Sequence, residues 1–180
     1  SSSANWFYKV ASGHLRDISL ILFVNFIVTE IYFTWRTREY ILKEFLLIIK
    51  DKYDYILIDC PPSLGLLTIN ALTAADFVII PMQAEYLPLR GLAKLTEVIN
   101  KIQARLNINL KIGCVFLTQY DSRKILNRDV ADSVQEFFGN KFLKSKISSN
   151  IALAEAPSQG KDIFSYNKNC KGAEDYFMLV

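Results

Sequence analysis

Tyr53-Asp54-Tyr55-Ile56-Leu57-Ile58-Asp59-Cys60-Pro61-Pro62-Ser63-Leu64-Gly65 is the stretch that decides the fold. Its apolar run, residues 55–58, ends in a carboxylate and two prolines. An unbroken apolar run of this length suits a strand of a parallel sheet covered on both faces, and the prolines prevent its continuation. Downstream, residues 64–75 read as a helix, and Phe77-Val78-Ile79-Ile80 as a second buried strand stopped by Pro81. Upstream, Ile41, Leu42, Phe45, Leu46 and Ile49 recur at helical spacing, leaving Arg38, Glu39, Lys43 and Glu44 for solvent.

The same alternation continues outward. After Pro88, the residues Leu92, Leu95, Ile99, Ile102 and Leu106 form an apolar stripe, with Lys94, Glu97, Lys101 and Arg105 between them. Residues 111–118 read as a strand. A helix carrying Val130, Val134, Phe137 and Phe138 ends at Gly139, and residues 142–147 make a last strand. Strands alternating with helices predict an α/β fold, a mainly parallel sheet with flanking helices, whose ligands sit beyond the carboxyl ends of the strands. The chain changes character near residue 36, which predicts a divergent apolar segment, 1–36, ahead of a domain at 37–180.

Composition narrows the class only slightly. With 180 residues, 51% of them hydrophobic, the chain can bury one sizeable core. The net charge of +3 is too mild to indicate a nucleic-acid-binding protein by itself. Cys60, Cys114 and Cys170 have no metal-ligand spacing, and an odd number of thiols, two of them in or beside apolar runs, fits a reducing cytoplasm. The N-terminus does not have the pattern of a secretory signal. His14, the sole histidine, has no acid or second ligand near it in sequence and reads as a surface residue.

Asp59 is the leading functional candidate. A carboxylate at the end of a buried strand projects into the ligand crevice of an α/β protein, where it can hold Mg²⁺ or its water shell beside phosphates. The competing reading is an aspartate that caps the following turn. The neighbourhood favours the first. Residues 53–65, continued by Leu66-Leu67-Thr68-Ile69-Asn70-Ala71-Leu72, resemble the Walker B and switch segment of ParA/MinD-type partitioning ATPases. The similarity continues in family order through Ile80-Pro81-Met82-Gln83-Ala84-Glu85-Tyr86, Leu117-Thr118-Gln119-Tyr120-Asp121-Ser122-Arg123, Glu155-Ala156-Pro157-Ser158-Gln159-Gly160-Lys161 and Lys171-Gly172-Ala173-Glu174.

This resemblance spans about residues 38–180 and implies a P-loop NTPase-like fold of the deviant Walker type, incomplete at its N-terminal side. It implies ATP and Mg²⁺ as cofactors, with Asp59 serving the metal and the catalytic centre. Pro61, Pro62 and Gly65 would lie in the loop that senses the terminal phosphate. Thr118, Gln119, Ala156 and Pro157 would lie near the adenine, while Glu85 and Tyr86 would shape the site. It further implies a homodimer, a ParB-like partner that stimulates hydrolysis, non-specific DNA association and a role in chromosome or plasmid partition, in the cytoplasm and on the nucleoid.

Two departures matter. Phosphate binding in this family needs a glycine-rich run ending in Lys-Thr or Lys-Ser, and no such run occurs in residues 1–180. Gly160-Lys161 lacks the preceding glycine and is followed by Asp162. The chain alone is therefore expected not to hydrolyse ATP. Without the central strand and its loop, two strand edges would also be exposed. Second, Ser149 and Ala152 stand where the family's DNA-contacting arginines are expected, which predicts weakened DNA binding with a flatter salt dependence. Lys141, Lys144 and Lys146 read as a solvated basic face.

Residues 18–35 admit three readings. They are apolar and just long enough to span a membrane, but contain Asn25, Thr29, Glu30 and Thr34. Their β-branched and aromatic content suits strands at 18–24 and 26–33 filling the missing part of the sheet. A truncated or frame-disrupted copy would make them non-family sequence. Two alternatives to the partition ATPase stand beside it. One is a catalytically silent interaction or dimerisation protein on the same scaffold. A lesser one is a MinD-like cell-division ATPase, disfavoured because residues 176–180 form no basic amphipathic helix.

Overall fold

The computed structural model describes residues 19–23, 38–61, 63–85 and 88–179. His14, Pro62, Tyr86 and the expected strand at 26–33 lie outside the described residues. In chain order the elements are β1 (Ser19–Phe23), α1 (Ile41–Ile49), β2 (Tyr55–Asp59), α2 (Leu66–Ala74), β3 (Phe77–Gln83) and α3 (Pro88–Arg105), followed by β4 (Lys111–Tyr120), α4 (Ile125–Phe138), β5 (Phe142–Ser148), α5 (Ile151–Glu155), α6 (Ile163–Asn167) and α7 (Lys171–Phe177). They form two compact units, one drawn from residues 15–78 and 94–111, the other from 79–93 and 112–180. Among the described residues no helix is long and apolar enough to cross a membrane.

In the first unit β1 pairs in parallel with β2, from Ser19 opposite Tyr55 to Phe23 opposite Asp59. Of the three readings of residues 18–35, the strand reading is the one seen at 19–23. The apolar stripe of α1 does what its spacing predicts: Leu42 and Leu46 are buried against Ala71 of α2, with Phe45, Ile49, Ile56 and Ile58 packed around them. Two buried asparagines fix α2. Asn70 accepts the Leu42 N–H and donates to the Arg38 and Leu66 carbonyls, and Asn107 donates to those of Leu72 and Ala75.

The second unit holds a three-stranded sheet in the order β3-β4-β5. β4 and β5 run parallel, with register shifts on either side of the Leu117–Lys146 pair. Its core gathers Phe116, Ile147 and Tyr176, beside a second cluster of Ala156, Ile163 and Ala173. Gly172 of α7 meets α5 closely; a Cβ there would lie 2.6 Å from Leu153 Cγ, so the position has no room for a side chain unless Leu153 moves.

Two sequence expectations need correction. β3 does not stop at Pro81 but runs on to Gln83. The Ala84 N–H points to Thr118 on β4, and by the two-residue alternation of a strand the Pro81 nitrogen points away from β4, where a missing N–H costs no ladder bond. Nor is β3 buried on both faces: Ile80 and Met82 are buried, whereas Phe77, Ile79, Pro81 and Gln83 are exposed because no described element covers that face. The α4 helix ends before Gly139 as its sequence predicts, with Phe138 buried and Phe137 half exposed, the two rings edge-on.

Asp175 of α7 ties the end of β5 to the last helix. It is buried, accepts the Ser148 N–H at 2.8 Å and meets Lys171 at 3.0 Å. Burial alone would raise its pKa, but the bonds from Ser148 and Lys171 outweigh burial and hold the carboxyl below its ordinary value. A carboxyl lowered in the fold gives stability that is full above the unfolded pKa and is lost as the pH falls through the folded one. Asp175→Asn is accordingly expected to cost about 2 kcal/mol at pH 7, a difference that shrinks below about pH 4. Urea unfolding at several pH values checks this.

Candidate functional site

Asp59 is the last residue of β2, and its half-buried carboxylate stands at the carboxyl end of a parallel pair. Burial pushes its pKa up, and the backbone N–H of Cys60 pulls it partly back. No lysine or arginine side chain among the described residues pairs with it. The neighbouring Cys60 thiol is pushed up to about 11, first by burial and then by the Asp59 charge, so it stays protonated and unreactive at neutral pH.

A partly desolvated carboxylate without a cationic side-chain partner suits a hard divalent cation. Among the described residues no cluster of three His, Cys, Asp or Glu could cage a metal. Mg²⁺ needs no such cage, since one or two carboxylates, water and substrate phosphates suffice. The residues present therefore fit the magnesium side of a nucleotide site. They do not fit the phosphate side, because the glycine-rich loop is absent from residues 1–180.

The loop after Asp59 is held from below by α2. Thr68 Oγ1 donates to the Ser63 carbonyl at 2.5 Å, and Asn70 and Asn107 fix both ends of the helix that carries Thr68. Gly65 has an ordinary extended φ of −95°, and a Cβ there would meet only Ser63 Oγ at 3.9 Å. Neither strain nor crowding within the fold requires glycine at this position. Pro61 is half-buried in the same loop.

The remaining predicted residues belong to the second unit. Thr118 Oγ1 donates to the Met82 carbonyl at 3.2 Å, and the Thr118 carbonyl accepts the Ala84 N–H at 3.1 Å. Gln119 follows with a φ of +54°, the single non-glycine residue with positive φ among the described residues. The Ala156 side chain is buried in the core with Ile163 and Ala173, and its carbonyl accepts the Lys161 N–H. It is a packing residue, which its place in the motif does not reveal. Pro157 is the second residue of the 3₁₀ turn Ala156–Gln159, which Gly160 closes in the left-handed conformation, φ +62°.

Asn70, Asn107 and Asn127 are the residues that sequence reasoning missed. All three are buried and bridge separate segments; Asn127 donates to the Ala84 carbonyl and accepts the Asp121 N–H. Their signal was an amide on an otherwise apolar helix face or beside its end. The expected basic face is not one cluster: Lys141 and Lys144 are exposed, whereas Lys146 lies over the Tyr120 ring at 4.7 Å from its centroid. Asp121 is held near a pKa of about 2 by the Arg123 side chain and backbone N–H.

An AAA-domain family matches residues 14–112, more than half of the chain. The chromosome-partitioning ATPase Soj of Treponema pallidum is 48% identical over 143 residues, covering 79% of this chain and 56% of that protein. The sporulation initiation inhibitor protein Soj of Bacillus subtilis is 49% identical over 144 residues, covering 80% and 57%. Among solved structures, cobyrinic acid a,c-diamide synthase from Mycobacterium smegmatis with bound ATP analog and magnesium is similar at a TM-score of 0.65 and 35% identity, over 83% of this chain and 53% of that one. The chain thus spans about half the length of the curated relatives it matches. With its Asp59 strand and later motifs in family order, the chain belongs to the ParA/MinD-type family of partitioning ATPases.

Proposed function

We propose that this chain carries the magnesium-side and base-side parts of a ParA-like partition ATPase, within residues 37–180, behind a divergent segment at 1–36. The carrying observation is Asp59, a partly desolvated carboxylate at the end of a parallel strand that pairs with no lysine or arginine side chain among the described residues. In this reading Asp59 holds Mg²⁺, which when bound neutralises phosphate charge. Pro61, Pro62 and Gly65 form the phosphate-sensing loop, kept in place by Thr68. Thr118, Gln119 and Pro157 lie near the adenine, and Ala156 supports that region from the core. The working protein acts in the cytoplasm as an ATP-dependent homodimer answering to a ParB-like partner, with DNA association weakened at Ser149 and Ala152.

A second reading is a silent interaction or dimerisation protein on the same scaffold. Both readings expect no phosphate release from Mg-ATP by purified residues 1–180 beyond the buffer blank. Release that Asp59→Ala abolishes would overturn the silent reading and show that other groups hold the phosphates.

A further inference from the structure

We propose that Asp121 is a positioning residue for DNA: it holds the Arg123 guanidinium with its outer edge turned to solvent, so that the arginine meets a backbone phosphate already ordered. The inference rests on the reading that leaves this chain a weakened association with DNA.

The loop between β4 and α4 is fixed from inside the fold. The Tyr120 carbonyl accepts the Ser149 N–H at 3.2 Å, the buried Asn127 side chain takes the Asp121 N–H at 2.8 Å, and the Asp121 carbonyl accepts the Lys124 N–H at 3.0 Å. From this anchored position the Asp121 carboxylate grips Arg123: Oδ1 accepts the backbone N–H and the Nε–H, both at 3.0 Å, and Oδ2 accepts from Nη2 at 2.9 Å. A single-point ion pair at the surface orders little, but side-on pairing of a guanidinium through two nitrogens fixes its plane.

The pair uses only one side of the arginine. Nη1 makes no hydrogen bond among the described residues, and the Arg123 side chain is 88% exposed against 19% for Asp121. A guanidinium held along its Nε–Nη2 side still presents the Nη1–Nη2 end, a two-pronged donor that fits a phosphate. The bond from Ser149 to Tyr120 places this loop beside position 149, where serine, like alanine at 152, supplies no cation.

Asp121 acts on an approaching phosphate in two opposed ways. Its charge repels, but at an exposed site in physiological salt that repulsion is worth under about twofold in affinity. Ordering a long side chain before contact is worth about two- to tenfold. Ordering is the larger effect, so Asp121 strengthens a contact that its charge alone would weaken.

Fluorescence anisotropy of a labelled mixed-sequence DNA duplex titrated with the full chain, at several salt concentrations, tests this. Arg123→Gln is expected to weaken binding and to lower the salt slope by about one. Asp121→Asn, which keeps an oxygen for the Arg123 backbone N–H, is expected to weaken binding about threefold although it makes the chain one charge more positive. In the Arg123→Gln background the same change should no longer weaken binding. That background separates positioning from a general loosening of the loop, which would weaken both. Tighter or unchanged binding by Asp121→Asn, or an equal loss in both backgrounds, overturns the proposal while the DNA reading stands. So does wild-type binding that Arg123→Gln leaves unchanged. A wild type that binds no duplex even at the lowest salt overturns the proposal and the DNA reading together.

Discussion

Asn70→Ala is expected to destabilise the chain by about 3 kcal/mol, the largest stability effect of any single replacement around the loop that follows Asp59. Asn70 is fully buried, and its amide does three things at once. Its oxygen takes the Leu42 N–H in the first turn of α1, where Tyr40 offers no side-chain cap. Its nitrogen donates to the Arg38 carbonyl at 2.7 Å and to Leu66 one turn back in α2. Alanine would leave the Leu42 donor and the Arg38 acceptor without these bonds, and an unmet buried group costs about 1–3 kcal/mol. The Leu66 carbonyl loses less, because a helix carbonyl also has a backbone partner four residues on. Urea unfolding of wild type and variant reads the difference directly. A change under about 0.5 kcal/mol, the range of an ordinary surface substitution, would show that α2 is held by packing alone.

How far the sequence could be read follows from where each feature takes its cause. The stripe of α1 and the apolar run of β2 are local patterns, and both elements lie where those patterns put them. The family motifs led to Asp59 because the order of residue types along 53–65 is specific in itself. Pro81 misled, because a proline ends a strand only when its nitrogen faces a neighbour, and which way it faces depends on pairing that is not local. The burial of Ala156 also depends on partners, Ile163 and Ala173, that come later in the chain. Gln119 was nominated by its motif, but not its backbone: no glycine marks the left-handed turn, which is imposed by bonds at Thr118, Tyr120 and Asp121. The three buried asparagines carried only a weak signal for the same reason, since an amide in or beside a helix is as common on a wet face as in a bridge between segments.

Asp59→Ala is the second large effect, and it concerns chemistry. Phosphoryl transfer leaves the protein little covalent work; rate comes from positioning and from charge neutralised at the phosphates. The Asp59 carboxylate is already partly stripped of water and has no lysine or arginine side-chain partner among the described residues. Its removal should hardly disturb packing, because it ends a strand and among the described residues its side chain makes no hydrogen bond that links segments. Loss of an electrostatic group of this kind is worth on the order of 10²-fold in rate. Residues 1–180 alone cannot reveal this, since they lack the phosphate loop. The most direct measurement is Mg²⁺-dependent phosphate release by a chimera in which the first strand and glycine-rich loop of a family relative precede residue 38, with and without Asp59→Ala. The account predicts turnover by the chimera and a loss of about 10²-fold or more in the variant. A folded chimera that releases no phosphate, or one whose turnover survives Asp59→Ala, would contradict it.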